Sequence, residues 1–371
     1  MINHYNYYGD FSCLNITYKG VVIYMSDTNL MDWMKKVNKQ YGSEIVQLGM
    51  EEKELDLIPF SSLRLNYMSY GGVPRGRITE FYGEESSGKS TLCLDIMANF
   101  QKLWPDEYIL YIDVEGTYDA KWASHMGVDS SKVIILNCIG QYAEEIFDQV
   151  KEAMETGAFG LMILDSIGAM FSKQASEKSF EEKTYGGIAM ALTQFVNQCT
   201  PIIKRNNIAF IGINQVRENI GNMYNPITTP GGRAWKFACS QRYMTRKGKF
   251  LDEKGNEISS TSENPQGHLI EVKLIKSKTC PSDRRVSKCS LFYRNGIRTD
   301  IDLLDLALKF GVIHKGGAWF DANVNGKDYK WQGQAKVLDA INSDTELFET
   351  LKSKVNSLLV ENPNVDGDDE E

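Results

Sequence analysis

Several features that define membrane, secreted or zinc-binding proteins are missing from this chain. No run of about 18 apolar residues occurs, so the sequence predicts no transmembrane helix. The first residues do not join a basic segment to an apolar one, so no secretory signal is expected. The seven cysteines form no C-x-x-C pair, which favours free thiols over disulfides or a zinc site. We therefore expect a cytoplasmic protein without a membrane partner.

Basic residues are fewer than acidic ones, 41 against 49, and they are unevenly distributed. The formal net charge is −8. Residues 201–250 nevertheless carry nine lysines and arginines against one acid, Glu218, whereas residues 361–371 hold acids and no base. A local basic patch can bind phosphates while the average charge stays acidic. Charge alone leaves a nucleic-acid surface and a merely solvated face equally open.

The N-terminal residues fall into two segments. Residues 25–51 place apolar side chains at helical spacing between Leu30 and Val37, and a short strand pattern, EIVQLG, follows. Residues 1–24 are rich in aromatic and β-branched residues and fit no obvious role. For this segment, an extension of unknown role and a misassigned start, with Met25 as the initiator, both stay open.

The central residues, 52–298, have the rhythm of an α/β domain. Five short apolar runs alternate with amphipathic stretches: RITEFYG, YILYIDVEG, VIILNC, LMILDS and IAFIGIN. Strands that are buried on both faces and separated by helices predict a mainly parallel central sheet. Hairpin-like segments follow Lys236, and residues 299–360, with two helical patterns, are expected to form a small C-terminal α/β lobe before the acidic tail.

A loop between the first of these strands and the next helix matches G-x-x-x-x-G-K-[ST]. The loop consists of Gly83, Glu84, Glu85, Ser86, Ser87, Gly88, Lys89 and Ser90, and Thr91 follows it. The backbone N–H groups of such a loop and the N-terminus of its helix hold anionic phosphates. Lys89 is expected to neutralise the β and γ phosphates of ATP, and the Ser90 hydroxyl is expected to bind Mg²⁺.

Two carboxylates complete the expected site. Asp165 ends the strand LMILDS, where it suits the Walker B role of holding Mg²⁺, although a helix cap is the alternative. Glu115 follows YIDV and is the candidate that orients or deprotonates water, with a plain surface carboxylate as the alternative. Together these residues predict an ATPase, but not which one.

Five longer segments narrow the choice of family. GEESSGKSTL, YIDVEGTYDAKWASHMGVD, LMILDSIGAM, GINQVRENIGNMYNPITTPGGRAWKF and KLIKSKTCP occur in this order. The series closely resembles the bacterial RecA family of recombinases, from about residue 25 to about residue 359. Many ATPases share the phosphate loop, whereas residues 212–237 are much more specific. The resemblance implies a RecA-like P-loop ATPase core that forms filaments on single-stranded DNA and pairs it with a homologous duplex.

The resemblance also implies roles for residues near the nucleotide. Gln215 is expected to sense the γ-phosphate, and Lys276 and Lys278 are expected to reach the ATP of the neighbouring subunit. Asp119 and Trp122 lie where the family contacts adenine. Without the resemblance, the two lysines would be read as the solvent face of a strand and Trp122 as a core residue.

A DNA-binding loop is implied from Arg217 to about Gly232. The residues expected to contact DNA are Arg217, Ile220, Gly221, Met223, Gly231, Gly232 and Arg233. Arginines bind phosphates and glycines let the backbone approach DNA closely, while Ile220 is a candidate wedge between base steps. The family's first DNA loop would fall at residues 175–187, which are acidic here. Arg233 stands where the family usually has Asn.

The resemblance extends to both ends of the chain. Residues 25–51 are similar to the arm that docks on the adjacent protomer, so a helical homo-oligomer is expected. Residues 361–371 are either a regulatory tail or a solubilising one.

Other ATP-related functions compete with this interpretation. A ring helicase or a circadian-type ATPase would share the core, but the segment GINQVRENIGNMYNP argues against both. The complete set of Lys89, Ser90, Glu115 and Asp165 argues against a recombination mediator that does not hydrolyse ATP. A small-molecule kinase would require an arginine-rich lid, and none is evident.

Overall fold

The computed structural model describes residues 14–18, 21–25, 28–42, 46, 55–177, 187–218, 227–259 and 261–361. By internal contacts the chain forms two compact units, Met1–Glu54 and Leu55–Glu371. In the first unit, β1 (Leu14–Tyr18) and β2 (Val21–Met25) pair as an antiparallel hairpin, and helix α1 (Thr28–Tyr41) follows. The predicted N-terminal helix is therefore confirmed. The strand pattern EIVQLG, apart from Val46, lies outside the described residues.

The second unit alternates strands and helices along the chain. Its strands are β3 (Leu57–Ile58), β4 (Val73–Pro74), β5 (Arg77–Gly83), β6 (Tyr108–Asp113), β7 (Val133–Asn137), β8 (Phe159–Asp165), β9 (Ala209–Gln215), β10 (Arg217–Glu218), β11 (Ile227–Thr228), β12 (Gln241–Leu251), β13 (Glu257–Ile258), β14 (Gly267–Ser277), β15 (Val286–Phe292), β16 (Gly296–Ile297), β17 (His314–Gly316), β18 (Trp319–Val324) and β19 (Lys327–Gln332). Its α-helices are α2 (Leu63–Ser69), α3 (Lys89–Leu103), α4 (Ala120–His125), α5 (Ala143–Glu155), α6 (Lys173–Ser176), α7 (Gly187–Arg205), α8 (Gly232–Ala238), α9 (Thr299–Lys309), α10 (Gln334–Ser343) and α11 (Thr345–Glu361).

A ten-stranded sheet forms the centre of this unit, with the order β16-β15-β14-β12-β5-β9-β8-β6-β7 and β13 beside β12. The neighbours from β12 to β7 are parallel, and the pairs on the other side of β12 are antiparallel. The prediction of a mainly parallel central sheet is confirmed. Four of the five predicted strands, β5, β6, β8 and β9, are almost continuously buried, because helices cover both faces of a parallel sheet.

Two apolar layers sandwich the sheet. On one face, α3 contributes Leu92, Ile96 and Met97 to a core that also contains Phe81 and Ile163. On the other face, the core contains apolar residues of α5 and α7. These layers fix the strands in register, with Gly83 opposite Gln215 and Asp113 opposite Asp165. The carboxyl ends of β5, β6, β8 and β9 therefore meet at one edge of the sheet.

The C-terminal residues build a lobe with its own apolar core. Helices α9, α10 and α11 pack with a three-stranded antiparallel sheet of order β17-β18-β19. The two helical patterns predicted here correspond to α9 and α11, whereas the sheet strands and α10 were not individually predicted. The side chains of Arg64 on α2 and Asp302 on α9 form a buried ion pair of 2.9 Å beneath the lobe. Among the described residues, no helix is long and apolar enough to cross a membrane.

Candidate functional site

The phosphate loop connects the end of β5 to the start of α3. A Cβ atom added to Gly83 would lie 2.2 Å from the carbonyl oxygen of Thr245, so only glycine fits there. Ser86 (φ 58°) and Gly88 (φ 88°) take left-handed backbone conformations that turn the loop back on itself. Gly88 is the N-cap of α3, and no side chain caps it. The first N–H groups of α3 are therefore available to an anion at the loop.

The ammonium group of Lys89 lies inside this loop. The residue is only 9% exposed, and Nζ donates to the carbonyl oxygens of Gly83 at 3.2 Å and Glu84 at 2.5 Å. Burial lowers the pKa of Lys89, while the carboxylates of Asp165 and Glu115 act in the opposite direction. A positive charge is thus held where the loop can receive phosphates.

Asp165, at the end of β8, meets Ser90 of the first turn of α3. Ser90 Oγ donates to Asp165 Oδ2 at 2.9 Å, and Tyr111 OH donates to the same oxygen at 2.7 Å. Burial raises the pKa of Asp165, and the two hydrogen bonds partly offset this rise. The structure therefore brings the two predicted metal ligands together.

This pair also fits the coordination chemistry of Mg²⁺. Within the described residues, no group of three or more His, Cys, Asp or Glu is arranged to hold a metal ion. Nucleotide-bound Mg²⁺ needs no such cage, because roughly one or two protein oxygens plus phosphates and water complete its octahedron. A hydroxyl and a carboxylate in contact beside a phosphate loop supply these oxygens.

Glu115, just beyond β6, is exposed at the same edge. Its Oε1 accepts hydrogen bonds from Ser166 Oγ and, at 3.2 Å, from Gln215 Nε2. Asp113, which is also an acid at this strand end, accepts the backbone N–H groups of Thr117 and Tyr118 and shapes the turn instead. Glu115 is therefore the carboxylate of this turn that faces the sensor candidate Gln215.

The residues predicted to contact adenine, Asp119 and Trp122, make hydrogen bonds and ring contacts within their own segment of the chain. Asp119 is the N-cap of α4, and its Oδ1 accepts the backbone N–H groups of Lys121 and Trp122 at 2.8 and 3.1 Å. Trp122 is partly buried against the core and stacks on His125 with ring centroids 5.7 Å apart. Asp119 thus caps the helix that follows the Glu115 turn, and Trp122 lies on that helix.

Lys276 and Lys278, at the end of β14, bind the C-terminus of α8. Lys276 Nζ donates to the carbonyl oxygens of Lys236 at 2.6 Å and Phe237 at 3.0 Å. Lys278 Nζ donates to Phe237 at 2.6 Å. Burial and the charge of Lys278 lower the pKa of Lys276. Within one subunit, these cations therefore satisfy the last carbonyl groups of a helix.

Both ends of the predicted DNA loop are described, and its middle is not. Arg217 and Arg233 are exposed, and Gly231 and Gly232 have φ of 102° and 73°. Three predicted contact residues lie outside the described residues, namely Ile220, Gly221 and Met223. Most of the segment 175–187 does so too.

A buried carboxylate anchors the described C-terminal end of this loop. Glu80 on β5 is 0% exposed, and its Oε1 accepts hydrogen bonds from Asn214 at 2.8 Å and Trp235 at 3.0 Å. Its Oε2 forms an ion pair with Arg242, whose guanidinium also donates to Thr229 at 3.3 Å. Asn214 donates further to the carbonyl oxygen of Pro230 at 3.0 Å. The end of β9 and the loop are therefore linked through one network.

Sequence reasoning missed three side chains of the site. Ser166 directly follows a predicted carboxylate, and that position was the available signal. Tyr111 was read as part of an apolar strand, and its hydroxyl gave no separate signal. Glu80 likewise lies inside the run RITEFYG, where an acid in the middle of a buried strand was a signal for a paired interior carboxylate.

Two comparisons with known proteins point to the same family. Residues 28–298 match the family described as RecA N-terminal domain. The chain is 33% identical over 331 residues to Protein RecA of Thermus aquaticus, covering 88% of this chain and 93% of that one. It is 33% identical over 326 residues to Protein RecA of Thermus thermophilus, covering 87% and 92%. With Protein RecA of Ruminococcus albus the identity is 32% over 330 residues, covering 88% and 79%.

Proposed function

The chain belongs to the RecA family, as a DNA-dependent ATPase and recombinase of DNA repair and recombination, and on that premise we propose which residues carry out its reaction. The observation that carries the proposal is the convergence of Lys89, Ser90, Asp165, Glu115 and Gln215 at one sheet edge. Such an edge is where open α/β sheets bind their ligands.

In this proposal, residues 83–91 hold the phosphates of ATP. Lys89 leaves its carbonyl partners to neutralise the β and γ phosphates, because the anion offers stronger, charge-assisted hydrogen bonds. Ser90 and Asp165 hold Mg²⁺, which supplies charge neutralisation for the transferring phosphoryl group. Asp119 and Trp122 border the adenine.

Glu115 orients the attacking water and accepts its proton, so that ATP and water give ADP and phosphate. Ser166 and Gln215 fix the carboxylate through Oε1. Gln215 ends β9, and β10 opens the DNA loop two residues later, at Arg217. We assign to Gln215 the transfer of the nucleotide state to that loop.

DNA contacts are assigned to the loop between β9 and α8. The exposed Arg217 and Arg233 at its described ends bind phosphates of single-stranded and double-stranded DNA. The assignment includes Ile220, Gly221 and Met223, by their place in the sequence between the two arginines. It also includes Gly231 and Gly232, which begin helix α8 with positive φ; a Cβ atom there would lie 2.9 Å from Leu192 or Ala189 of α7, so the glycines let this end of the loop pack closely on α7.

Filament formation is assigned to residues 25–51 and to the edge of the central sheet. Strand β7 ends the sheet order and exposes Ile134 (45%) and Ile135 (40%). An exposed apolar edge strand is a ready surface for a second chain. Helix α1 exposes Leu30 and Trp33, which suits it to docking on another copy. Lys276 and Lys278 would then turn from α8 to the ATP of the adjacent subunit.

The remaining assignments follow the same premise. We take residues 52–298 as the ATPase and DNA-binding core, 299–360 as the C-terminal lobe, 361–371 as an acidic tail and 1–24 as an extension of unassigned role. We place the protein in the cytoplasm, because the six cysteines in the described part of the chain are free.

The test is ATP hydrolysis by the purified chain with and without single-stranded DNA. We expect stimulation by DNA and its loss in Lys89→Ala. Lys102→Ala on the same helix is the matched control, since Lys102 Nζ contacts Asn99 and not the loop. Hydrolysis that does not respond to DNA, or that survives in Lys89→Ala, would contradict the assignment.

A further inference from the structure

Tyr111 supplies a hydroxyl to the metal-binding carboxylate from the neighbouring strand. Its OH donates to Asp165 Oδ2 at 2.7 Å, and Ser90 Oγ donates to the same oxygen at 2.9 Å. Tyr111 is 3% exposed and Asp165 is 5% exposed, so water does not compete freely for this hydrogen bond. Among the hydrogen bonds described for this carboxylate, both side-chain donors therefore converge on Oδ2.

The strand register fixes the direction of this hydroxyl. Strands β6 and β8 are parallel, and Tyr111 lies opposite Ile163, two residues before Asp165. Residues two apart on a strand point to the same face, so Tyr111 reaches along that face to the carboxylate. Its ring packs on Tyr118 with centroids 4.8 Å apart at an angle of 56°. A packed ring on a paired strand leaves the phenol oxygen little freedom to move.

We propose that Tyr111 is a positioning residue for the metal site: its hydroxyl holds Oδ2 of Asp165 and so fixes the rotation of the carboxylate beside Ser90. The proposal rests on the proposed function of Ser90 and Asp165 as the ligands of Mg²⁺. Hydrogen bonds from the surroundings orient metal-ligating carboxylates, and their loss typically weakens metal affinity about 10-fold to 100-fold. Tyr111 itself touches neither nucleotide nor metal in this role.

The experiment removes the hydroxyl and keeps the ring, in Tyr111→Phe. Binding of a fluorescent ADP analogue is measured without metal and then during titration with Mg²⁺, and ATP hydrolysis is titrated with Mg²⁺ in parallel. We expect the half-saturating Mg²⁺ concentration to rise about 10-fold in both assays. Metal-free binding of the analogue and hydrolysis at saturating Mg²⁺ stay near the wild-type values.

Tyr118→Phe is the matched control, because it removes a hydroxyl from the same ring pair without touching Asp165, and its Mg²⁺ titration should match the wild type. Asp165→Asn tests the underlying assignment and should abolish the Mg²⁺ dependence. If Tyr111→Phe and the wild type give the same Mg²⁺ titration while Asp165→Asn loses its response to Mg²⁺, the role of Tyr111 is overturned and the metal site stands. If Asp165→Asn keeps the wild-type Mg²⁺ dependence, the metal site itself is wrong.

A purely structural role for Tyr111 would give a different result. It would lower metal-free binding of the analogue and the urea midpoint of unfolding, and saturating Mg²⁺ would not restore hydrolysis. That pattern would also overturn the proposal.

Discussion

Gln215 and Glu115 are 100 residues apart in sequence, yet Gln215 Nε2 donates a hydrogen bond of 3.2 Å to Glu115 Oε1. The carboxylate assigned to water activation is thus bound to the last residue of β9. Two residues further on, Arg217 begins the loop assigned to DNA. The contact therefore joins the carboxylate assigned to hydrolysis to the strand that leads into the loop assigned to DNA.

Replacement of Gln215 by alanine should uncouple the two activities. The variant loses the amide that links Glu115 to the loop but keeps Lys89, Ser90 and Asp165. We expect unchanged binding of a fluorescent ATP analogue and loss of most of the DNA stimulation of hydrolysis, about 10-fold or more, since positioned proton-transfer groups contribute about 100-fold or more to the rate. Steady-state ATPase assays with and without single-stranded DNA measure this.

Gln194→Ala, at an exposed position of α7, is the control for the loss of an amide. Full DNA stimulation in Gln215→Ala would show that the loop is coupled to the nucleotide by another route.

The central sheet could be predicted because its strands are short apolar runs, and each run ends at a residue at the edge of the candidate site. RITEFYG, YILYID, LMILD and IAFIGINQ each stop at a residue that lies at the site edge, and the run itself reports burial on both faces. The C-terminal sheet gave no such pattern. In β18 only Phe320, Ala322 and Val324 are buried, and the small Ala322 leaves an alternation too weak to separate from a loop.

The site was predictable to the extent that its residues follow strand ends in sequence. Lys89, Asp165 and Glu115 do so, whereas the side chains that hold them come from neighbouring strands. Tyr111 reaches Asp165 from β6, and only the parallel register of β6 and β8 brings them together. A single sequence does not state which strands are neighbours, so contacts of this kind required the structure.

The buried pair of Glu80 and Arg242 should matter far more than any surface pair of the chain. Glu80 is fully buried and the side chain of Arg242 is 12% exposed. Glu80→Gln leaves the guanidinium without its counter-charge, which should lower the free energy of unfolding by about 3 kcal/mol. Because Arg242 and Asn214 also hold Thr229 and Pro230, binding to single-stranded DNA should weaken as well. Urea unfolding and fluorescence anisotropy with labelled DNA measure the two effects.

Glu257→Gln is the matched control for this loss of charge. Its partners Lys249 and Lys288 are 71% and 35% exposed and Glu257 is 38% exposed, so the cost should stay below about 1 kcal/mol. If both variants lose the same free energy of unfolding, a group other than Glu80 must neutralise the charge of Arg242.

Asp95 should make the stability of the fold depend on pH in a defined direction. The residue is 3% exposed on α3, and burial raises its pKa from 3.8 to about 6, although it accepts the backbone N–H of Ser61 at 2.9 Å. Below pH 3.8 both the folded and the unfolded chain hold the proton. As the pH rises from about 4 to about 6, the unfolded chain releases its proton first, so the free energy of unfolding falls and then levels off.

Asp95→Asn cannot ionise, and its amide oxygen can still accept the hydrogen bond from Ser61. The free energy of unfolding of the variant minus that of the wild type should therefore rise between about pH 4 and about pH 6, by about 3 kcal/mol at most. Urea unfolding at several pH values gives this difference directly, with the exposed Asp106→Asn as the matched control. A difference that does not vary with pH would mean that Asp95 ionises as easily in the folded chain as in the unfolded one, so that its burial carries no electrostatic cost.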